Sequence, residues 1–402
     1  MNMAAKCILY NGRIYTETEI IPNGYLVLAE GKIIEIAEGQ PSIREEKKND
    51  TEFIDCKGKT ILPGFMDLHI HGVQGADMMD GTASALTVMK RELPKEGTTS
   101  FLATTITEDS REIEKALRQV AEDGNQLGDS DEIEGAELLG VHLEGPFISS
   151  KRAGAQPEQH ILPPNIDLFK QWEEASGHRI KLVTLAPEIE DGKELVSYMK
   201  ERGIVASIGH SDAVYDEVKT AVETGVTHAT HLFNGMRGMH HREPGVAGSV
   251  LLLDEILVEL IPDGIHIIPE MVDLSYRVKG EDGLVLITDA MRAKGLGQGQ
   301  YQLAGQKVDV DEKQATLEDG TLAGSILKMN DGVKNIMEFT GCTLESAVKM
   351  ASSNPAKQLS IFDRKGSIAT GKDADLVLVN SDMEVLLTIC RGKVVYRREC
   401  WE

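Results

Sequence analysis

The feature that most constrains how this chain folds is an alternation of short apolar runs with longer amphipathic segments. Eight runs occur between residues 65 and 290, and they read FMDLHIH, TSFLATTIT, LLGVHLEG, IKLVTLAPE, IVASIGHS, THATHLF, ILVELIPDGIH and GLVLITDA. Stretches with helical periodicity, such as 82–97 and 214–225, separate most of them. Eight such repeats predict an α/β fold built on a parallel (β/α)₈ TIM-type barrel, buried on both faces of its sheet.

Both ends of the chain have a different pattern. Residues 1–60 and the last 40 residues contain short alternating segments with turn residues between them, which is typical of antiparallel strands. We therefore predict a small β-sandwich domain formed from both chain ends, 1–61 and 360–402, and a metal-dependent barrel domain at 62–359. A glycine-rich alternating segment at 294–322 predicts a hairpin inserted before the last helices.

The charge and the cysteines limit the partners and the compartment. The 65 acidic and 42 basic residues give a formal net charge of −23, which repels nucleic acids and anionic membranes but does not exclude a small anionic substrate. The five cysteines form no CxxC pair, and acidic residues interrupt the most apolar later stretch, 250–261. The N-terminus lacks the apolar core of a signal peptide, so we predict a cytoplasmic protein that binds neither membrane nor nucleic acid.

Polar side chains that suit metal binding close most of the apolar runs. In chain order they are His69 and His71, His142 and Glu144, His210, His231, Asp263 and His266, and Asp289. The carboxyl ends of barrel strands meet on one face, where the active sites of this fold lie. Imidazole and carboxylate groups suit zinc, iron or manganese, so the pattern predicts a site there for one or two divalent cations.

Each of these histidines also has a purely structural interpretation, since a single histidine at a strand end is more often a hydrogen-bonded packing residue than a ligand. We favour packing for His142, and the histidines elsewhere receive the same interpretation. These are His160, His178, His228, His240 and His241. For the remaining group, packing would require six coincidences at the same end of different strands. That group is His69, His71, Glu144, His210, His231 and Asp289.

Several motifs resemble the amidohydrolase superfamily of metal-dependent hydrolases. PGFMDLHIHG at 63–72, TDAM at 288–291 and GSIATGKDADLVLV at 366–379 carry this resemblance. HLEGPF, TLAPE, GHSDA, THLFNGM, REPG and DGIH follow in order after the first motif, and the set is similar to the N-acetylglucosamine-6-phosphate deacetylase family. The match extends from about residue 58 to the C-terminus.

The resemblance implies a divalent metal cofactor, one or two ions per subunit, with zinc or iron expected. Glu144, His210 and His231 would hold the principal ion, and a second would share Glu144 and Asp289 and add the two histidines of the HIH motif. Dihydroorotase-like relatives bridge two metals with a carboxylated lysine after strand four. Here that strand ends LVTLAPE without a lysine, so the bridging role passes to Glu144.

The reaction implied is hydrolysis of the acetamide of N-acetylglucosamine 6-phosphate to glucosamine 6-phosphate and acetate, in amino-sugar catabolism and cell-wall sugar recycling. A bound divalent ion would supply a hydroxide at neutral pH and a polarised carbonyl. Asp289 would be the catalytic proton shuttle, taking a proton from the attacking water and giving it to the departing amine.

The resemblance also implies substrate-binding residues and a homodimer. Arg242 would reach the phosphate of the neighbouring subunit's substrate, since an arginine fork binds phosphate well. Leu327 belongs to the segment AGSILKM, which would cover the acetyl group, and Gln156 either contacts the substrate or tunes the pocket. The full predicted set is Ala155, Gln156, Asn234, Gly235, Arg242, His266 and Leu327.

Three other functions are compatible with these residues. An N-acetylgalactosamine-6-phosphate deacetylase would differ in a few loop contacts to the sugar, and another amidohydrolase would use the same scaffold. A sugar-phosphate-binding regulator without catalysis would be expected to lack a ligand or the strand-eight aspartate. Both are present, so we favour an enzyme.

Overall fold

The computed structural model describes residues 6–41, 51–126 and 135–399. Its strands in chain order are Lys6–Tyr15 (β1), Ile20–Ala29 (β2), Lys32–Glu38 (β3), Thr51–Asp55 (β4), Thr60–Pro63 (β5), Phe65–Ile70 (β6), Gly72–Val73 (β7), Ala76–Asp77 (β8), Thr98–Thr104 (β9), Glu137–Glu144 (β10), Ile180–Leu185 (β11), Val205–Ile208 (β12), Val226–Ala229 (β13), Leu257–Leu260 (β14), Leu284–Leu286 (β15), Gly299–Leu303 (β16), Gln306–Val310 (β17), Ala315–Thr316 (β18), Leu376–Val379 (β19), Val385–Cys390 (β20) and Lys393–Arg397 (β21).

The α-helices alternate with the strands through the middle of the chain. They are Ala83–Glu92 (α1), Ser110–Gln126 (α2), Ile166–Ala175 (α3), Gly192–Glu201 (α4), Tyr215–Thr224 (α5), Gly245–Leu252 (α6), Pro269–Lys279 (α7), Met329–Thr340 (α8), Leu344–Val348 (α9) and Asn354–Gln358 (α10). None of the helices in the described ranges has the length and apolar character needed to cross a membrane.

The eight apolar runs form one parallel sheet, so the predicted barrel is confirmed. Within the described residues its spatial order is β15-β14-β13-β12-β11-β10-β9-β6. The first and last strands meet where Ile70 forms a parallel bridge with Ala290, and where the amide of Asp289 donates to the carbonyl of His69 at 2.8 Å. These contacts close the sheet at its carboxyl end, where the predicted ligands lie.

Strand periodicity separates two hydrophobic layers. Leu284 and Leu286 of β15 belong to the largest core cluster, whereas Val285 and the following Ile287 belong to a separate cluster. Successive strand side chains point to opposite faces of a sheet, so the first layer lies under the helices and the second fills the barrel. The polar residues at the strand ends therefore lie above an aliphatic interior.

The two chain ends share a second sheet, as predicted. Its order is β21-β20-β19-β5-β1-β2-β3, with β4 also paired to β1, and β5 joins the two halves by pairing with both β1 and β19. Leu376 and Leu378 of β19 pack with Leu26 of β2 in a core of their own. The residue boundaries given above for the two domains stay a prediction.

The predicted insertion is a three-stranded antiparallel sheet, β16-β17-β18. Its Val308 and Ala315 pack against Ile106, which follows barrel strand β9. The side chain of Gln306 donates to the carbonyl of Ala155 at 2.7 Å. The insertion is thus fixed against the loop that follows β10, next to the mouth of the barrel.

Candidate metal centre

Strand ends bring the six predicted ligands together. His69 lies in β6 and His71 one residue beyond it, and Glu144 is the last residue of β10. All three side chains are buried. Ligands at the carboxyl ends of strands in one closed sheet necessarily converge, which is why the sequence pattern located them.

The other three ligands lie just past strand ends in left-handed backbone. The φ angle is 46° at His210, 32° at His231 and 48° at Asp289. Such conformations cost a non-glycine residue about 1–3 kcal/mol and persist where the surrounding structure enforces them, most often at functional sites. The three turns place buried side chains beside Glu144 at the barrel mouth.

Glu144, His210 and His231 have the geometry of a metal triad. Oε1 of Glu144 lies 3.2 Å from Nε2 of His210 and 3.1 Å from Nε2 of His231, and the two Nε2 atoms are 3.1 Å apart. Ligands at 2.0–2.1 Å from a tetrahedral zinc ion would be about 3.3 Å apart. The spacing of the three donor atoms therefore fits a common divalent ion.

Hydrogen bonds on the far side of two rings indicate which nitrogen faces the site. Nδ1 of His210 lies 2.8 Å from the carbonyl of Arg152, and Nδ1 of His71 lies 3.2 Å from the carbonyl of Thr104. A carbonyl can only accept, so each Nδ1 donates and each Nε2 of a neutral ring presents its lone pair to the cluster. Lone pairs facing carboxylate oxygens repel one another unless a cation lies between them.

A second donor group adjoins the triad. Oδ1 of Asp289 lies 3.4 Å from Nε2 of His69 and 3.1 Å from Nε2 of His71. Glu144 reaches both histidines as well, with Oε1 3.6 Å from His69 Nε2 and Oε2 3.5 Å from His71 Nε2. Glu144 is thus shared between the two groups, which is the arrangement that a bridging carboxylate requires.

The centre opens into a cavity of about 230 Å³. Five of the six predicted ligands contribute to its lining, namely His71, Glu144, His210, His231 and Asp289. Five of the predicted substrate-binding residues line it as well, namely Ala155, Gln156, Asn234, Gly235 and His266. Leu303, Thr321 and Leu322 line it from the insertion, which the sequence did not indicate. The cavity therefore joins the predicted metal ligands to most of the predicted substrate-binding residues.

Comparison with known proteins agrees with this geometry. Residues 60–395 match the family model described as "Amidohydrolase family". The chain belongs to the amidohydrolase family. It is 48% identical to the N-acetylglucosamine-6-phosphate deacetylase of Bacillus subtilis (strain 168) over 98% of both chains, and 46% identical to that of Lysinibacillus sphaericus over 91% of this chain and 92% of the relative. The crystal structure of the Thermotoga maritima deacetylase superposes with a TM-score of 0.86, at 38% identity, over 97% of this chain and all of that one.

The buried acids and histidines of this amidohydrolase centre shift one another's pKa values. Burial alone would raise the pKa values of Glu144 and Asp289, but the adjacent histidines, His69 first among them, lower both pKa values below their usual range. Burial opposes a charged ring at His69, yet the surrounding carboxylates raise its pKa well above the usual value. The lowered pKa values favour the ionised carboxylates, which is the form that the predicted metal-binding and general-base roles require.

Asp263 holds the ring and the backbone of His266 in the cavity lining. Its Nδ1 donates to Oδ2 of Asp263 at 2.6 Å, and the amide of His266 donates to Oδ1 at 2.8 Å. Burial would lower the pKa of His266, but the hydrogen bond and the charge of Asp263 raise it. The raised pKa favours the protonated ring, which is the form that the predicted phosphate-binding role requires.

Two predicted substrate-binding residues of the amidohydrolase lie outside this lining. Leu327 packs in the aliphatic cluster inside the barrel, with Ile261 among its neighbours. Arg242 is exposed, and its Nη1 contacts Nε2 of His241 at 2.6 Å. The roles assigned to both residues stay predictions.

Sequence reasoning missed one buried acid beside the ligands. Glu259 on β14 is 0% exposed, and its carboxylate lies 3.1 Å from Nδ1 of His69 and 3.0 Å from Nε2 of His228. It appeared only as a charge interrupting an apolar run. Glu259 lies two residues before Ile261, so the two side chains point to the same face of the sheet. Ile261 packs inside the barrel, and this shared face is the signal that would have indicated an inward-pointing Glu259.

Proposed function

We propose that this chain hydrolyses the acetamide of N-acetylglucosamine 6-phosphate to glucosamine 6-phosphate and acetate in amino-sugar catabolism. The observation that carries the proposal is the mutual spacing of 3.1–3.2 Å among donor atoms of Glu144, His210 and His231 beside a cavity that Asp289 also lines. The names of the curated relatives, which this chain matches over nearly its whole length, supply the substrate.

The chemistry follows from these groups. One or two divalent ions, zinc or iron in our proposal, would polarise the amide carbonyl and acidify a water molecule when bound by the ligands. Asp289, ionised and at the cavity wall, would accept the proton of the attacking water and return it to the amine, which cannot depart as an anion. His71, whose Nε2 lies 3.1 Å from Oδ1 of Asp289, would share a bound ion with that carboxylate.

For the phosphate we propose contacts from Asn234, Gly235 and His266, completed by Arg242 of a second subunit. Gly235 allows its loop to pack closely against His210, because a Cβ there would lie 2.8 Å from Nδ1 of that ring. Ala155, Gln156 and Leu327 remain our candidates for contacts to the sugar and acetyl groups.

A homodimer is supported by an exposed apolar surface next to Arg242. We name it the α6–α7 patch, and it consists of Met239, Leu252, Leu274 and Val278, which are 48%, 63%, 39% and 48% exposed. Contiguous exposed apolar residues mark interaction surfaces. Pairing of two copies through this patch would bury it and bring Arg242 near the partner's cavity. Cytoplasmic localisation is part of the same proposal.

A galactosamine substrate is the second candidate. The N-acetylgalactosamine-6-phosphate deacetylase of Escherichia coli O157:H7 is 33% identical over 96% of this chain and 98% of that protein. The two sugars differ only in the configuration at C4, so a few cavity contacts would decide between them. The higher identity to glucosamine-type relatives favours the first candidate.

Acetate release and metal content test the proposal together. Purified protein is analysed for bound metal and assayed with both N-acetylhexosamine 6-phosphates, alongside Asp289→Asn. We expect faster turnover of the glucosamine epimer and loss of activity by about 10²–10⁴-fold in the variant with its metal retained. Release of acetate from neither sugar would refute the assignment and favour a non-catalytic binding protein. Near-full activity of metal-loaded Asp289→Asn would refute the proton shuttle.

A further inference from the structure

Asp212 lies two residues past the predicted ligand His210 and contacts three cations with one carboxylate. Its Oδ1 accepts from Nε of Arg152 at 2.9 Å and lies 2.8 Å from Nη2 of the same residue. Its Oδ2 accepts from Nη2 of Arg237 at 2.7 Å and lies 3.5 Å from Nζ of Lys151. The Asp212 side chain is only 11% exposed, so the geometry of these ion pairs is fixed more firmly than at an open surface.

The contact with Arg152 fixes the loop that follows β10, residues 145–156, which we name the β10 loop. The backbone carbonyl of Arg152 accepts from Nδ1 of His210 at 2.8 Å, and the amide of Ser149 donates to the carbonyl of His210 at 2.9 Å. Further along the loop, Nε2 of Gln156 donates to Oε2 of Glu144 at 2.8 Å. Movement of the β10 loop would therefore disturb the groups that face the acetamide in the proposed reaction.

The contact with Arg237 fixes the loop that follows β13, residues 230–237, which we name the β13 loop. Nε of Arg237 donates to the backbone carbonyl of Asp212 at 2.6 Å, and the amide of Arg237 donates to the carbonyl of Ser211 at 3.0 Å. The amide of Ser211 donates in turn to the carbonyl of Gly235 at 3.1 Å. Gly235 and Asn234, our proposed phosphate contacts, therefore lie in a loop that Asp212 also holds.

Glu188, which lies just past β11, fixes the backbone of Asp212 itself. Oε1 of Glu188 accepts from the amide of Asp212 at 2.7 Å, and Oε2 accepts from Oγ of Ser211 at 2.8 Å. Because the backbone at Asp212 is held by these bonds, a substitution there removes the carboxylate without releasing the chain. Variants of Asp212 should therefore fold.

We propose that Asp212 is a positioning residue that holds the β10 loop and the β13 loop at a fixed separation across the cavity. In a hexopyranose, C2 carries the acetamide and C5 carries the phosphorylated C6, and these two carbons are opposite corners of the ring. The substrate would therefore span both loops, and a misplacement of about 1 Å between them can cost about 10²-fold in rate. The inference rests on the proposed deacetylase function and deepens it by assigning the spacing of its two binding regions to one carboxylate.

The experiment compares the full-length wild type with Asp212→Ala, Asp212→Asn, Arg152→Ala and Arg237→Ala. Acetate release from N-acetylglucosamine 6-phosphate gives kcat and KM for each protein. Calorimetry gives the Kd of the product, glucosamine 6-phosphate, so that binding is measured independently of turnover. Thermal unfolding reports the stability of each variant.

Asp373→Asn is the matched control for Asp212→Asn, because Asp373 is a second largely buried acid that contacts three cations. Its carboxylate lies 2.6 Å from Nζ of Lys32, 2.7 Å from Nη1 of Arg364 and 3.1 Å from Nζ of Lys365, and its side chain is 6% exposed. Asp373 does not contribute to the cavity lining. Asp373→Asn should therefore unfold at a lower temperature than the wild type and keep its kcat, KM and Kd.

We expect the two arginine variants to separate the two loops. Arg237→Ala should raise KM and the Kd of glucosamine 6-phosphate by about tenfold with kcat within about twofold, because it releases the proposed phosphate contacts. Arg152→Ala keeps the carbonyl that accepts from His210 but releases the β10 loop, so it should lower kcat by about tenfold with KM within about twofold.

Asp212→Ala should combine the two effects, and Asp212→Asn should show a smaller version of both because the amide still accepts a hydrogen bond. Adding Arg152→Ala or Arg237→Ala to Asp212→Ala should change the kinetic constants little further, since the interaction is already lost. If Asp212→Ala does not fold, the comparison of Asp212→Asn with Asp373→Asn and the two arginine variants still decides the matter.

Three results would overturn the inference. Wild-type kcat, KM and Kd in both Asp212 variants, with a loss of stability like that of Asp373→Asn, would leave Asp212 a structural role only. Fully additive effects of the Asp212 and arginine substitutions would show that the arginines act independently of it. Tighter binding of glucosamine 6-phosphate by Asp212→Ala would show that the carboxylate competes with the phosphate for the arginines.

Failure of the proposed function has a different signature. A wild type that releases acetate from neither N-acetylhexosamine 6-phosphate would remove the deacetylase assignment, and the inference with it. A wild type that is active, together with unchanged Asp212 variants, would remove the inference alone.

Discussion

The side chain of Gln156 connects a metal ligand to the backbone of a neighbouring strand end. Its Nε2 donates to Oε2 of Glu144 at 2.8 Å, and its Oε1 accepts from the amide of Thr107 at 2.8 Å. Both ends of this buried amide are therefore engaged by the protein. Gln156 also lines the cavity, so it can orient Glu144 and still present one N–H towards a substrate.

Gln156→Leu is expected to lower kcat by about tenfold or more while the protein stays folded, because Glu144 loses the amide that orients it. Glu144 and the Thr107 amide each lose a buried hydrogen-bond partner, at a cost of about 1–3 kcal/mol each in unfolding free energy. Steady-state acetate release and metal analysis measure the effect. Gln159→Ala, three residues along the same loop at an exposed position, is the control and should match the wild type. Unchanged kinetics in Gln156→Leu would show that Glu144 needs no such support.

The sequence was sufficient to predict the barrel and the convergence of the six predicted ligands, because both depend on strand ends. Short apolar runs repeated eight times locate the strands, because strands buried on both faces are apolar at most positions, and closure of the sheet then brings their carboxyl ends together. Glu259 could not be assigned in the same way, because its contact with His69 joins residues 190 apart in the chain. Nor did the sequence indicate that the insertion supplies Thr321 to the cavity, since this depends on how separate elements pack.

Mixed dimers test the position of Arg242. Neither Arg242→Ala nor Asp289→Asn should be active alone. Arg242→Ala loses phosphate binding worth about 1.5–3 kcal/mol. Asp289→Asn loses the proton shuttle. If Arg242 completes the partner's site, co-refolded mixtures regain about a quarter of the wild-type sites, since half of the dimers are mixed and each has one intact site. The assay is acetate release at limiting substrate, after gel filtration has confirmed the dimer.

Absence of recovery in stable mixed dimers would place Arg242 in its own subunit's site or outside both sites. Arg118→Ala provides the control, because Arg118 is an exposed arginine on α2, outside the α6–α7 patch, and its Nε donates to Oε1 of Glu114 at 3.0 Å. This variant should retain activity by itself.

Acid should weaken the connection between the barrel and the terminal sheet. Glu137 at the start of β10 contacts Nη2 of Arg364 at 2.8 Å and Nζ of Lys365 at 2.8 Å. Burial would raise the pKa of Glu137, but these cations lower it from 4.5 to about 2. Because the pKa of Glu137 is lower in the folded protein than in the unfolded chain, its ionised carboxylate stabilises the fold. The full contribution of about 3 kcal/mol to the free energy of unfolding is present above pH 4.5 and is lost as the pH falls from 4.5 towards 2.

Glu137→Gln should therefore be less stable than the wild type at pH 7, and the difference in unfolding temperature should shrink as the pH approaches 3. Thermal unfolding across this pH range measures the difference in unfolding temperature. The substitution leaves the proposed metal ligands unchanged, so any loss of metal in acid affects both proteins equally. Glu194→Gln, on the exposed side of α4, should follow the wild type at every pH. A difference that stays constant with pH would show that Glu137 does not titrate differently in the folded protein.

Gly235 tests how tightly the loop after β13 fits against a metal ligand. Its φ is 60°, and a Cβ would lie 2.8 Å from Nδ1 of His210, so Gly235→Ala introduces both backbone strain and a clash. Gly203→Ala separates these effects, because Gly203 has a φ of 68° with nothing within 4 Å of the added Cβ. Each substitution should cost about 1 kcal/mol in unfolding free energy from the left-handed backbone. Only Gly235→Ala should also displace His210 and lower metal affinity and kcat/KM by about tenfold or more. Equal metal affinity in the two variants would mean that His210 can move without leaving the ion.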